Sequence, residues 1–338
     1  VRLYPFFIPH AGCPHRCLFC SQQQPGGGDE PPSPAEVSGA LEQMLPCNGD
    51  GEVAFYGGTF TLLPTAQQKA LLEAVAPFVH GGRVAGIRVS TRPDALPPGS
   101  AEWLAGLGVT TVELGCQSFS VDVLRLAGRG HDEREATKAV SRLRRAGLAV
   151  GLQLMPGLPG GDRGEAMASL ASALTLAPDF LRIYPTVVLR DTGLAQWYLD
   201  GRYCPVPLEE AVDWCAEMLW NCRRAGVPVI RLGLQATPEL DGGETLLAGP
   251  YHPAFGQLVR SRLWLRALLR GLAATDARLV AVHPAELADA IGQRRSNLCE
   301  LQRRFGDFAL VPDSALSRGH LALNGQDFLL MNLSAYEG

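Results

Sequence analysis

Lysine is nearly missing from this 338-residue chain: Lys69 and Lys138 are the only two among thirty basic residues, and the rest are arginines. A surplus of positive charge is missing too. Thirty-four acidic residues leave a net charge of −4, which excludes the uniformly basic body of a nucleic-acid wrapper while leaving room for a local basic patch. No apolar run reaches the roughly 18 residues of a membrane span, because Gly, Pro or Arg interrupts the longest candidates. The opening Val1-Arg2-Leu3-Tyr4 does not follow the basic-then-apolar layout of a secretory leader, so a reducing, cytoplasmic setting is expected.

What is present is an ordinary globular composition, 46% apolar and 19% charged, in a length that allows two domains or one barrel with an appendage. Charge is segregated along it. From Pro250 onward ten arginines face eight acids, a net of +2, so residues 1–249 carry −6. The nine cysteines divide unevenly as well. Cys47, Cys116, Cys204, Cys215, Cys222 and Cys299 are scattered, as buried thiols are, whereas Cys13, Cys17 and Cys20 lie within eight residues.

Strand-like apolar runs alternate with helix-length amphipathic stretches over residues 1 to about 235. The strands are expected at Leu3–Ile8, Val53–Tyr56, Ile87–Ser90, Thr110–Leu114, Val150–Met155, Leu181–Tyr184 and Val229–Leu232. Helices are expected at Pro34–Met44, Thr65–Phe78, Ala101–Leu107, Glu133–Ala146, Arg163–Leu176 and Leu208–Ala225. Ser33-Pro34 and Pro64-Thr65 punctuate helix starts, and Gly108, Gly147 and Gly226 sit where helices should stop. This alternation predicts a parallel sheet with right-handed crossovers, and seven units fit a full or partial (β/α) TIM-type barrel. Such barrels bind ligands just beyond the C-terminal ends of their strands. The Gly-rich and polar segments fall there: Gly12–Cys20, Gly57-Gly58-Thr59, Ser90-Thr91-Arg92, Gly115–Ser118, Gly157–Gly160 and Pro185-Thr186.

The expected division is a barrel over residues 1–240, a linker with a basic helix over 241–274, and a small α/β domain over 275–338. Within the basic helix, Arg262, Arg266 and Arg270 recur at steps of four, forming a stripe that is either a solvated face or an RNA contact. The small domain reads as strand, helix, Gly292-Gln293-Arg294-Arg295, helix, strand. That order resembles the KH RNA-binding module, whose Gly-x-x-Gly loop clamps backbone phosphates. Arg295 stands where the second glycine would be. It offers a phosphate a bidentate donor but blocks the close backbone approach that glycine permits. A small α/β domain that binds no RNA fits the same pattern.

Three thiols spaced Cys-x3-Cys-x2-Cys cannot complete a tetrahedral zinc site. A fourth ligand would have to come from His15 inside the loop or from His10. Three thiolates on a four-iron cluster instead leave one iron open to chelate a small molecule. In this motif, placed after the first strand, the chain resembles the radical SAM superfamily. That resemblance implies a 4Fe-4S cluster on Cys13, Cys17 and Cys20 and reductive cleavage of S-adenosylmethionine to a 5′-deoxyadenosyl radical. An electron donor such as ferredoxin or flavodoxin is implied with it. It places the methionine amino group at Gly57-Gly58-Thr59, where Thr replaces the usual acid, and puts ribose and carboxylate near Ser90, Arg92, Glu113 and Gln117. Phe19 is expected to meet adenine, with Met155 and Gly157 at the adenine edge.

A closer resemblance, over roughly residues 3–235, is to the radical SAM half of the Elongator catalytic subunit, a tRNA modifier. It rests on Ser90-Thr91-Arg92-Pro93-Asp94, on Val112-Glu113-Leu114-Gly115-Cys116-Gln117-Ser118, and on Ile183-Tyr184-Pro185-Thr186 running into Thr192-Gly193-Leu194 and Gly201-Arg202-Tyr203. The cysteine loop is shorter than in that subunit. About 88 residues remain after Pro250, too few for its acetyltransferase half, so use of acetyl-CoA is not carried over. RNA, above all tRNA, is the expected acceptor. Radical chemistry on a small molecule, as in oxygen-independent coproporphyrinogen oxidases, and an RNA-binding protein with a structural metal remain the alternatives. Tyr184 and Tyr203 are candidate radical relays, and His252, between prolines, is a candidate catalytic residue at the barrel mouth.

Overall fold

A computed structural model describes residues 2–8, 13, 16–21 and 31–336. They form two compact units, residues 1–205 with 238–249, and residues 206–237 with 250–338.

In the first unit β1 (Leu3–Ile8) is followed by α1 (Pro34–Met44), β2 (Glu52–Gly57), α2 (Thr65–His80), β3 (Gly86–Thr91), α3 (Ser100–Gly106) and β4 (Val109–Gln117). Then come α4 (Val121–Leu126), α5 (Glu133–Arg145), β5 (Ala149–Leu154), α6 (Arg163–Thr175), β6 (Phe180–Ile183), β7 (Val188–Leu189) and α7 (Gly193–Leu199). Next in the chain, α8 (Leu208–Arg224) and β8 (Val229–Leu232) belong to the second unit, while α9 (Pro238–Asp241) and β9 (Leu246–Ala248) belong to the first.

Strands β1 to β6 lie side by side in chain order, each parallel to the next. This is the expected α/β architecture of a partial TIM-type barrel. Helices start where the sequence marks them. Ser33 and Glu36 form a capping box on α1, with Pro34 in its first turn, and Asp132 with Glu135 does the same for α5. Asp162 caps α6 by accepting from the Glu165 amide at 2.8 Å.

Because strand side chains alternate between faces, each strand writes two different surfaces. Val53, Phe55, Ile87, Val89, Val112, Leu114, Val150, Leu152, Leu181 and Ile183 are buried on one face. Each such side chain contributes roughly 1.5–3 kcal/mol on burial. The opposite face carries Glu52, Tyr56, Arg88, Thr111, Glu113 and Arg182, and it is joined by charge rather than by packing. Arg88 donates to Glu52 at 2.9 Å through Nε and to Glu113 at 2.7 Å through Nη1. Arg182 donates to the other Glu113 oxygen at 2.7 Å. Glu52 also accepts from Thr111 at 2.7 Å.

In the second unit α10 (Phe255–Thr275) leads into β10 (Leu279–Val282), α11 (Leu287–Ile291), α12 (Ser296–Phe305), β11 (Ala309–Pro312), β12 (His320–Leu323), β13 (Gln326–Leu329) and α13 (Leu330–Leu333). The strand, helix, loop, helix, strand order is the expected one. β10 and β11 pair in parallel, and β12 and β13 add antiparallel strands that the sequence reading did not anticipate. Trp264, Leu268, Leu272, Val280, Val282, Leu301 and Leu321 belong to one core.

Two expectations change here. The boundary near residue 240 does not hold, because α8 and β8 group with the C-terminal residues. Residues 241–274 are no linker either: α10 buries Val259, Leu263, Trp264 and Leu268 as the core helix of its unit.

Candidate functional site

The cysteine loop is strapped down within the first unit at two places. The Leu18 amide donates to Ala127 O at 2.9 Å, beyond the end of α4, and Leu18 O accepts from the Leu194 amide at 2.7 Å, in the first turn of α7. Gly128 makes the first strap feasible. Its φ is +69°, and a Cβ there would lie 3.1 Å from Arg16 O. Leu18 and Phe19 pack against Val188, Leu194, Ala195 and Tyr203, and Phe19 also packs, with Met155, on Val123, Ala127 and Leu158.

So held, Cys13, Cys17 and Cys20 are partly buried and line a cavity of about 190 Å³ at the C-terminal ends of the strands. The wall is completed by Phe19, Gly57, Gly58, Thr59, Ser90, Thr91, Arg92, Glu113, Gly115, Gln117, Arg129 and Gln153. Eight of the expected cofactor residues are therefore together: Phe19, Gly57, Gly58, Thr59, Ser90, Arg92, Glu113 and Gln117. Two are not on this wall. Met155 packs behind it, and the Gly157 carbonyl accepts the Tyr203 hydroxyl at 2.6 Å.

Each strand end has its own reason to be there. Gly57 ends β2 with φ +109°, and a Cβ at that position would fall 2.2 Å from Ile8 O. Only a residue without a side chain lets β1 and β2 close so tightly, and the Gly58 amide then donates to Ile8 O at 2.7 Å. Thr59, which stands in place of the usual acid, is fully buried and lies 3.2 Å from Cys13 Sγ through its hydroxyl. At the end of β4 a bulge between Gly115 and Gln117 leaves Gln117 at φ +69°, a left-handed conformation that costs a non-glycine residue roughly 1–2 kcal/mol. Its side-chain carbonyl accepts from Gln153 at 3.1 Å, which joins β4 to β5 across the cavity wall.

Glu113 reaches the wall with both oxygens already engaged, by Arg88 and Tyr56 on one and Arg182 on the other. Burial first, and then the Glu113 carboxylate, push the Tyr56 hydroxyl well above the ordinary phenol range, so it remains a donor. Glu113 therefore anchors the floor of the cavity, and its capacity for a ribose contact is largely spent.

Charge around Cys17 is arranged by three residues. Arg92 grips Asp94 with two bonds of 3.0 and 2.9 Å and lies 3.9 Å from Cys17 Sγ. Arg129 donates to Cys17 Sγ at 3.3 Å and to Gly115 O. His131 is buried, with Nε2 3.1 Å from Cys116 O. Burial and then the Arg129 charge push its imidazole down to about 4. Burial pushes the Asp94 carboxyl up, but Arg92 outweighs it and holds Asp94 below the usual carboxylate range.

Arg129 and Gln153 escaped the sequence reading. Their signals were an arginine between two glycines just ahead of the Asp132 helix cap, and a lone amide inside the apolar run Leu152-Gln153-Leu154.

The other expected residues sit elsewhere. Tyr184 is off the cavity wall and has the Arg182 guanidinium 5.5 Å from its ring centre. His252 belongs to the second unit, where its Nδ1 accepts from the Ala254 amide at 3.0 Å and its Nε2 lies 3.4 Å from Gln293. It is not among the residues that line the cavity. The arginine stripe on α10 is not a free basic face. Arg262 pairs with Glu209 at 2.6 Å and with Asp213, Arg266 lies 3.7 Å over the Tyr336 ring, and Arg270 donates to Leu333 O at 3.4 Å. Arg294 and Arg295 are exposed, both with positive φ, in the turn before α12. Cys116 is fully buried, which pushes its thiol up to about 12, so it is a packing residue. His10 and His15 lie outside the described residues.

The donor set fits an iron–sulfur cluster. Among the described residues no group of three or more His, Cys, Asp or Glu converges as a single ion requires. A cluster needs no such convergence, since each thiolate takes its own iron. Arg129 Nε is buried without a hydrogen-bond partner, and that side chain's charge is directed at sulfur.

A partial parallel barrel with a three-cysteine loop beyond its first strand, opening on a glycine-lined cavity, defines a class of cofactor-dependent enzymes. The chain belongs to the radical SAM superfamily: the model of that superfamily matches residues 7–172, and the model of the radical SAM C-terminal domain matches residues 178–264. It is similar to a tRNA uridine(34) acetyltransferase of Dehalococcoides mccartyi, 37% identical over 236 residues, covering 58% of this chain and 50% of that protein. It is also similar to Elongator complex protein 3 of Danio rerio, 34% identical over 188 residues, covering 50% of this chain and 34% of that protein. Among solved structures, the archaeal Elp3 of Methanocaldococcus infernus aligns with a TM-score of 0.58 at 25% identity, over 67% of this chain and 57% of that one. The chain thus spans about half the length, or less, of these relatives. No helix among the described residues is long and apolar enough to cross a membrane.

Proposed function

We propose that this chain holds a 4Fe-4S cluster on Cys13, Cys17 and Cys20, binds S-adenosylmethionine in the adjoining cavity, and directs the resulting radical chemistry to RNA, tRNA in particular. The observation that carries the reading is the meeting of three thiols and eight expected cofactor residues around one cavity. When bound, the cluster supplies the electron that cleaves S-adenosylmethionine to a 5′-deoxyadenosyl radical, drawn from a one-electron donor of the ferredoxin or flavodoxin kind.

This chain's residues supply the surroundings. Gly57 and Gly58 bring backbone within reach of a small polar ligand, and Ser90, Thr91, Gln117 and Gln153 offer neutral hydrogen-bonding groups to ribose. Phe19 offers an apolar face, which suits an adenine ring. Met155 packs with Phe19 on Val123, Ala127 and Leu158, and the Gly157 carbonyl is taken by the Tyr203 hydroxyl.

The acceptor is read from the relatives, whose names assign them to tRNA uridine 34 and to Elongator, and from the turn carrying Arg294 and Arg295 ahead of α12. Two adjacent exposed arginines suit backbone phosphates. The test is anaerobic turnover with a strong reductant and S-adenosylmethionine, with and without bulk tRNA. Release of 5′-deoxyadenosine should rise with tRNA. Arg294→Glu with Arg295→Glu should weaken salt-dependent tRNA binding while leaving basal release intact. Release indifferent to RNA would move the acceptor to a small molecule.

A further inference from the structure

Arg92 and Arg129 both approach Cys17, yet their charges are not equivalent. The Arg92 guanidinium is neutralised by a two-bond grip on Asp94 and stays 3.9 Å from the sulfur. Arg129 comes to 3.3 Å, its other amino group is taken by the Gly115 carbonyl, and among the described residues no carboxylate pairs with it. His131, two residues on, is held neutral and adds no charge of its own. The backbone turn that carries Arg129 is also fixed in place. The Arg129 amide donates to Leu124 O at 2.9 Å, Ala127 O ties the same turn to the cysteine loop, and the Asp132 capping box begins α5 three residues later.

A fixed, uncompensated positive charge donating N–H to a cysteine sulfur acts on whatever that sulfur ligates. Reduction adds negative charge to a cluster. The form favoured by Arg129 is therefore the reduced one, through Coulomb attraction in a poorly solvated wall and through the N–H to S bond. From this geometry we infer that Arg129 is a positioning residue that raises the reduction potential of a cluster bound at Cys17, bringing it within reach of a one-electron donor. The inference rests on the proposed cluster. It gives Arg129 a role toward sulfur rather than toward the carboxylate of a cosubstrate.

Redox titration followed by the electron paramagnetic resonance signal of the reduced protein, without S-adenosylmethionine, tests it. Arg129→Gln, loaded with the same iron as wild type, should have a lower potential. At fixed poise its reduced-to-oxidised ratio should fall about ten-fold, which for a one-electron couple is about 59 mV. Arg129→Lys, which keeps the charge but loses the fork that holds it against both Cys17 and Gly115, should fall between the two. An unchanged potential in Arg129→Gln, with S-adenosylmethionine affinity reduced instead, overturns the inference and makes Arg129 a ligand contact. Should Arg129→Gln not retain iron, Arg129→Lys decides, and a potential identical to wild type overturns the claim. Wild-type protein that assembles no four-iron cluster removes the proposed function itself, which is a separate result.

Discussion

Arg88 on β3 donates to Glu113 on β4 at 2.7 Å in the interior of the first unit, with side chains only 6% and 4% exposed. The same guanidinium holds Glu52, so one arginine separates two buried carboxylates. Buried ion pairs gain little over apolar packing, but breaking one strands an uncompensated charge. Replacing Arg88 by Met should therefore cost about 3–5 kcal/mol in chemical denaturation. It should also disturb the cavity floor, because Glu113 loses one of its three donors. A loss below 1 kcal/mol would show that the network relaxes freely.

Gly57 closes β1 against β2 in a way no side chain permits. Gly57→Ala should destabilise the fold by about 1–3 kcal/mol through its strained backbone alone. By pushing away the Ile8 carbonyl it should also lower the iron retained after anaerobic reconstitution. Thermal unfolding and iron analysis of the same preparation measure both effects.

The pH dependence follows from His131. Its folded-state value of about 4 lies below the ordinary 6.5, so between those two pH values the unfolded chain binds the proton that the folded protein refuses. Stability from this group is complete above pH 6.5 and is lost as the pH falls toward 4. The span corresponds to at most about 3 kcal/mol. Denaturation midpoints measured from pH 7.5 down to 4.5 should fall more steeply in wild type than in His131→Gln. Parallel curves would contradict the assignment.

Arg262 and the Arg294–Arg295 pair make opposite predictions. Arg262 is tied to Glu209 and Asp213, both largely exposed, so Arg262→Ala should cost about 0.2–1 kcal/mol of stability and leave tRNA affinity unchanged. Removing Arg294 and Arg295 should reduce the slope of binding against salt by about two. Electrophoretic mobility assays across a salt series separate the two sites.

Much of this was legible beforehand because strand and helix periods differ and glycines and caps mark the ends. Leu3–Ile8, Pro34–Met44 and Val229–Leu232 begin and end where the pattern put them. The cavity was legible because its residues follow strands, and strand ends share one face of a barrel. What could not be read was partnership. Arg262, Arg266 and Arg270 form a regular stripe on paper, but whether such a stripe meets water or acids and aromatic rings depends on distant chain, such as Asp213, 49 positions before Arg262. Arg129 is likewise 112 residues from the sulfur it touches. The short elements β7, α7 and β9 carry too few residues for any period to show, although they include the strap over the cysteine loop.

The most direct test of the three-thiol site combines metal analysis with spectroscopy of anaerobically reconstituted protein. The account predicts about four irons and four sulfides per chain, lost when any one of Cys13, Cys17 or Cys20 becomes alanine. It also predicts a reduced-state electron paramagnetic resonance spectrum that changes when S-adenosylmethionine is added, because one iron has no protein ligand. Zinc in place of iron, or a reduced spectrum indifferent to S-adenosylmethionine, would contradict it.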